Sequence, residues 1–153
     1  MSAPSPGSFR RPTNTSSSAA PASPWSNSDR PMQVRGKRAF GQLGEDKACD
    51  FLQSRGHRIV ARNWRGSHLE VDIISEASDG LHFVEVKTRL DADAAPQEKV
   101  DALKQRRISA AALKYLNETG SDREVFFDVV SVTLSGDEST VNYFPQAWIP
   151  MYL

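Results

Sequence analysis

Two short runs set charged side chains where a strand should be apolar: Leu69-Glu-Val-Asp-Ile-Ile74 and Phe83-Val-Glu-Val-Lys-Thr88. Both are rich in β-branched residues and read as strands. Ionised groups inside a sheet are costly to desolvate unless a partner or a cation compensates them. Residues two apart share a strand face. Glu85 and Lys87 therefore point together with Phe83, and Glu70 points with Asp72. Leu69, Val71 and Ile73 fall on the opposite face of the first strand, Val84 and Val86 on that of the second. If the strands pair as a hairpin, Asp72 and Glu85 converge. Two adjacent carboxylates repel, and one keeps its proton unless a cation intervenes. Mg²⁺ or Mn²⁺ suits such a pair, taking carboxylates together with substrate phosphate and water. The chemistry indicated is metal-dependent phosphodiester hydrolysis. Lys87 would orient the attacking water or offset charge growing on the phosphorane.

The same pattern fits a solvated ion-pair patch on the wet face of an antiparallel sheet. Three features favour a built site. Glu45 lies at the flank of a helical apolar stripe and can be delivered to the sheet as a further metal or water ligand. Lys104 and Arg107 fall within the expected inward arc of a second helix, among Val100, Leu103, Ile108 and Ala111. The opposite face of both strands stays apolar.

The elements that must hold these groups follow from periodicity. Phe40, Leu43, Ala48, Phe51 and Leu52 predict a helix over Arg38–Arg55, stopped by Gly56. Strands are expected at Arg58–Asn63, Leu69–Ser75 and Leu81–Arg89, joined by turns at Arg65-Gly-Ser67 and Ala77-Ser-Asp-Gly80. A helix over Gln97–Asn117 follows, with Pro96 in its first turn and Gly120 after its end. Glu124–Leu134 and Val141–Phe144 are the last strands. The long helix permits a crossover that sets the fourth strand parallel to the third. The fold class is α/β, with a mixed sheet flanked by helices.

Composition narrows the setting. Nineteen basic and nineteen acidic residues give zero net charge, which argues mildly against a nucleic-acid binder, although a local basic stripe outweighs the sum. Arg62, Arg65, Arg89, Lys104, Arg106 and Arg107 could form such a stripe around an acidic centre. Trp64 and Arg65 could stack on a base and hold a phosphate, and Trp64 could equally cap the core. Cys49 is the single cysteine, so no internal disulfide forms, and it reads as a packing residue. His57, His68 and His82 are scattered and read as surface or packing residues. No apolar run reaches membrane-spanning length, and the expectation is a cytoplasmic protein. Residues 1–35 hold six of the nine prolines among many Ser and Ala, and are expected to be a disordered tail before a domain over 36–153.

Taken in order, Gly41-Gln-Leu-Gly-Glu45, Ala48, Gly56, Asn63-Trp-Arg65, Glu70-Val-Asp-Ile-Ile74, Phe83-Val-Glu-Val-Lys-Thr-Arg89 and Lys104 to Tyr115 resemble the YraN-like family of uncharacterised bacterial proteins. That family is similar to archaeal Holliday-junction resolvases. Asp72 with Glu85-Val86-Lys87 resembles the PD-(D/E)xK motif of the restriction-endonuclease-like superfamily, with Val71 in place of the proline. The resemblance implies an αβββαβ core and catalytic roles for Asp72, Glu85 and Lys87. It implies that Glu45 is the helix acid, that Glu70 is characteristic, and that a homodimer is one arrangement to test. The expectation is a Mg²⁺- or Mn²⁺-dependent endonuclease acting on DNA, at branched or damaged sites. Arg65, Arg89, Lys104, Arg107 and Trp64 would contact the nucleic acid. The alternative is a catalytically silent module on the same fold that binds nucleic acid or a partner protein.

Overall fold

A computed structural model describes residues 32–90 and 99–150. The expected tail therefore lies mostly outside the described residues. Helix α1 (Met32–Ser54) leads to strands β1 (Arg58–Gly66), β2 (Leu69–Ala77) and β3 (Gly80–Leu90). Helix α2 (Ala102–Thr119), β4 (Val125–Ser135) and β5 (Glu138–Phe144) follow. The five strands form one sheet in the order β1-β2-β3-β4-β5. All neighbours are antiparallel except β3 and β4, which run parallel through the α2 crossover. This is the expected αβββαβ core around a mixed sheet.

Each helix covers one face of the sheet. Ala48, Cys49 and Leu52 of α1 pack on Ile73, Val84, Val130 and Val132. Gly44 is one turn earlier on the same line, and a Cβ there would lie 1.8 Å from Thr88 Oγ1. The missing side chain thus lets α1 rest directly on β3. Gly56, at φ 89°, closes the helix, and the His57 N–H donates to the Leu52 carbonyl at 3.0 Å.

On the other face, Ile108, Ala111 and Ala112 of α2 pack on Ile74, Phe83, Phe127 and Val129. Trp148 stacks on Phe127, with ring centroids 5.3 Å apart, and closes this layer. Helix α2 begins later than the periodicity predicts. Asp101 caps it by accepting from the Lys104 N–H at 2.8 Å, and Lys99 and Val100 are not helical. Asp101 therefore supplies the helix start that was expected near Pro96. The inward arc also differs from the expected one. Lys104, Ile108, Ala111 and Tyr115 form the i, i+4, i+7, i+11 line, whereas Leu103 is 56% exposed and Arg107 is exposed. The expectation that Leu103 and Arg107 face inward is corrected, because the buried face of α2 is centred on Ile108, Ala111 and Ala112.

Candidate functional site

The paired register between β2 and β3 runs from Ala77↔Gly80 to Ile73↔Val84 and stops there. Beyond it, the start of β2 pairs with β1, and the end of β3 pairs with β4. The strands part at Asp72 and Glu85. Asp72 replaces the missing ladder bond with its side chain, its Oδ2 accepting the Val86 N–H at 2.8 Å.

Asn63 faces Asp72 on the β1 side, bracketed by the pairs Arg62↔Ile73 and Trp64↔Val71. Its backbone is left-handed, at φ 49°, a conformation asparagine adopts more readily than most residues. Alternation breaks at this point. Leu69 and Val71 pack with the α2 layer, and Ile73 packs with the α1 layer. The expected single apolar face of Leu69, Val71 and Ile73 is therefore corrected: a rigid two-residue period cannot pass through the irregularity at Asn63 and Asp72.

Asp72 and Glu85 do converge, as the hairpin argument required, close enough for each carboxyl to perturb the other. Burial raises the Asp72 carboxyl above its ordinary range, opposed by the Val86 N–H and the Lys104 charge. Burial, and then the Asp72 charge, push Glu85 up to about 8, while Lys104 pulls it down. The pair therefore holds a proton more readily than two separate carboxylates would. The buried Glu85 Oε2 makes no hydrogen bond, and the Lys104 ammonium lies 3.5 Å from it. Two adjacent carboxylates, one of them with a buried oxygen that accepts no hydrogen bond, fit a divalent cation such as Mg²⁺ or Mn²⁺.

The remaining candidates sit around this pair. The Lys87 ammonium donates to the Lys99 carbonyl, just ahead of α2. Glu45 accepts from Asn63 Nδ2 at 2.9 Å and lies 3.7 Å from the Arg62 guanidinium. The helix acid therefore reaches the residue opposite Asp72. Among the described residues, no group of three or more His, Cys, Asp and Glu is placed to hold a metal ion. Glu70 pairs with its cross-strand neighbour Arg65 at 3.5 Å, and both are exposed. Trp64 is half-buried, edge-on to Tyr115 with centroids 6.0 Å apart, in the core-capping position. Arg89 is half-buried on β3, and Arg107 is exposed on α2.

Two features escaped sequence reasoning. The first is the place of Asn63 beside Asp72; the sequence named Asn63 only within a matched run, with no role at the site. The second is a buried polar network on the α1 side of the sheet. Asp128, fully buried, meets His82 Nδ1 at 2.6 Å and accepts from the Tyr143 hydroxyl at 2.6 Å and the Gln146 N–H at 2.9 Å. His82 Nε2 meets Asp79 at 2.8 Å. The signal was an aspartate in the middle of the apolar Val125–Ser135 run. Burial would lower the His82 pKa, but the hydrogen bonds with Asp128 and Asp79 prevail and raise it.

Comparison with known proteins places the chain in a sequence family. Residues 44–132 match the Uncharacterised protein family UPF0102. A UPF0102 protein of Nitratidesulfovibrio vulgaris is 42% identical over 117 residues, covering 75% of this chain and 87% of the relative. One from Anaeromyxobacter dehalogenans is 41% identical over 115 residues, covering 74% and 86%. One from Syntrophotalea carbinolica is 44% identical over 112 residues, covering 72% and 91%. The matched span runs from Gly44, where α1 settles on β3, through the carboxylate pair and into β4, so the chain belongs to the YraN-like uncharacterised family UPF0102.

Proposed function

We propose that this protein is a divalent-metal-dependent endonuclease that hydrolyses DNA phosphodiester bonds, at branched or damaged sites. The observation that carries this reading is the parting of β2 and β3 at Asp72 and Glu85. It leaves two carboxylates together, one of them with a buried oxygen that accepts no hydrogen bond. Asp72 and Glu85 would hold Mg²⁺ or Mn²⁺, which when bound supplies a polarised phosphate and a more acidic water. Lys87, released from the Lys99 carbonyl, would steady that water or meet charge developing on the phosphate. Glu45 would act through Asn63 or turn toward the pair as a further ligand. Arg65, Arg89, Lys104 and Arg107 would hold strand phosphates, and Trp64 would offer a ring edge. Such an enzyme fits cytoplasmic DNA repair or recombination, and a homodimer would place two cuts symmetrically.

A second reading, a catalytically silent module that binds nucleic acid or a partner, draws on two observations. Lys87 is engaged by a backbone carbonyl, and Glu45 by Asn63 and Arg62. One experiment separates the readings. Purified protein is incubated with labelled linear, nicked and four-way-junction DNA, with and without Mn²⁺, beside Asp72→Asn and Lys87→Ala. Metal-dependent cutting lost in both variants supports the nuclease. Retention of DNA without cutting on every substrate supports the module.

A further inference from the structure

We propose that Lys104 is a built-in competitor for the divalent cation, its ammonium occupying the same carboxylate oxygen that the metal must take. This inference rests on the metal-site reading above and concerns how that site is controlled.

The geometry makes the competition direct. Lys104 Nζ lies 3.5 Å from Glu85 Oε2, an oxygen that is buried and accepts no hydrogen bond. A divalent ion would bind that oxygen at roughly 2.1 Å. The two positive centres would then lie close together beside a largely buried carboxylate, where like charges repel more strongly than in open water. Among the described residues Lys104 is the lysine paired with Glu85, whereas Lys87 is turned to the Lys99 carbonyl.

The contact is also easily broken. Lys104 is one-third exposed and meets Oε2 at ion-pair distance without a hydrogen bond. Its position in the first turn of α2 is held by the Asp101 cap and by Ile108, Ala111 and Ala112 beneath the helix. The ammonium can therefore swing out to water while the helix stays seated. Withdrawal of Lys104 opens the oxygen, and its return closes it. Metal occupancy is thereby coupled to whatever draws the ammonium away.

Removing the charge has two opposing effects. It strengthens proton binding by the carboxylates and strengthens cation binding. An ion of charge two responds about twice as strongly as a proton to the same neighbouring charge, so the cation gains more.

The test is isothermal titration of the full chain with Mn²⁺ alone at pH 8.5, for the parent, Lys104→Gln, Lys104→Arg and Asp72→Asn. Circular dichroism checks that each variant is folded. Lys104→Gln is expected to bind Mn²⁺ roughly tenfold more tightly, the factor that one pKa unit of interaction represents. Lys104→Arg keeps the charge and should resemble the parent, and Asp72→Asn should bind weakly or not at all. Binding in the parent that Lys104→Gln leaves unchanged or weakens overturns this inference alone, and assigns Lys104 to phosphate or to packing. Absence of Mn²⁺ binding in every protein overturns the carboxylate reading, and this inference with it.

Discussion

Replacing Glu85 by Gln should stabilise the metal-free protein at neutral and alkaline pH and do nothing at acid pH. In the fold Glu85 titrates at about 8, against an ordinary 4.5, because it is buried and faces Asp72. A raised acid pKa means that the fold binds the proton more tightly than the open chain does. The stabilisation is complete below 4.5 and is lost as pH rises through about 8. At pH 7 the unfolded carboxyl is ionised while the folded one keeps its proton, a linkage worth at most ~3 kcal/mol at ~1.4 kcal/mol per unit. The proton is shared with Asp72, which is also raised, so part of that sum belongs to the pair. Glutamine has the shape of the protonated acid and brings no charge against Asp72. We therefore expect Glu85→Gln to gain about 1–3 kcal/mol at pH 7–8, or about 2–10 °C in Tm, and nothing at pH 4. The assay is urea unfolding with EDTA at pH 4, 6, 7 and 8. The difference between parent and variant removes other titrations, including that of His82. Adding Mn²⁺ at pH 8 should stabilise the parent and not the variant. A parent–variant difference that stays flat from pH 4 to pH 8 would refute the buried, proton-sharing pair.

Four other outcomes follow from the packing. Asp72→Asn keeps an acceptor for the Val86 N–H and should hold or raise the melting temperature without metal; Asp72→Ala strands that amide and should cost about 1–3 kcal/mol, measured by the same urea series. Asp128→Ala removes the partner of His82, Tyr143 and the Gln146 N–H, and should lose roughly 3–5 kcal/mol. With the raised His82 pKa, the His82 contribution is complete below 6.5 and lost as pH rises through the folded value; Asp128→Asn should flatten that part of the pH–stability curve. Gly44→Ala drives a Cβ into Thr88 and should cost about 1–3 kcal/mol, partly recovered by Thr88→Ala, as read from thermal melts.

The carboxylate pair was legible because strand alternation and turn chemistry are local. Two β-branched runs around Ala77-Ser-Asp-Gly80 left little choice but a hairpin, and the hairpin brought Asp72 to Glu85. The same local rule failed at Val71, because Asn63 on the neighbouring strand disturbs the pleat opposite Asp72, and alternation in one strand carries no information about its neighbour. The expected start of α2 failed for a related reason. Pro96 is an acceptable first-turn residue, but Asp101 is the side chain that satisfies a helix N–H; separately, the face of α2 laid on the sheet is centred on Ile108, Ala111 and Ala112, which leaves Leu103 and Arg107 exposed.

By itself, the amino-acid order determined the elements, the αβββαβ arrangement and the two acids, because each rests on periods and turns spanning a few residues. The tertiary structure alone decided how deeply those acids are buried and which groups meet them. The β2–β3 ladder ends at Ile73, Asp72 takes the Val86 amide, and Lys104 rather than Lys87 faces Glu85. Those outcomes depend on burial and on charges delivered by elements distant in sequence, and a group's affinity for a proton or a metal is set by its surroundings in space.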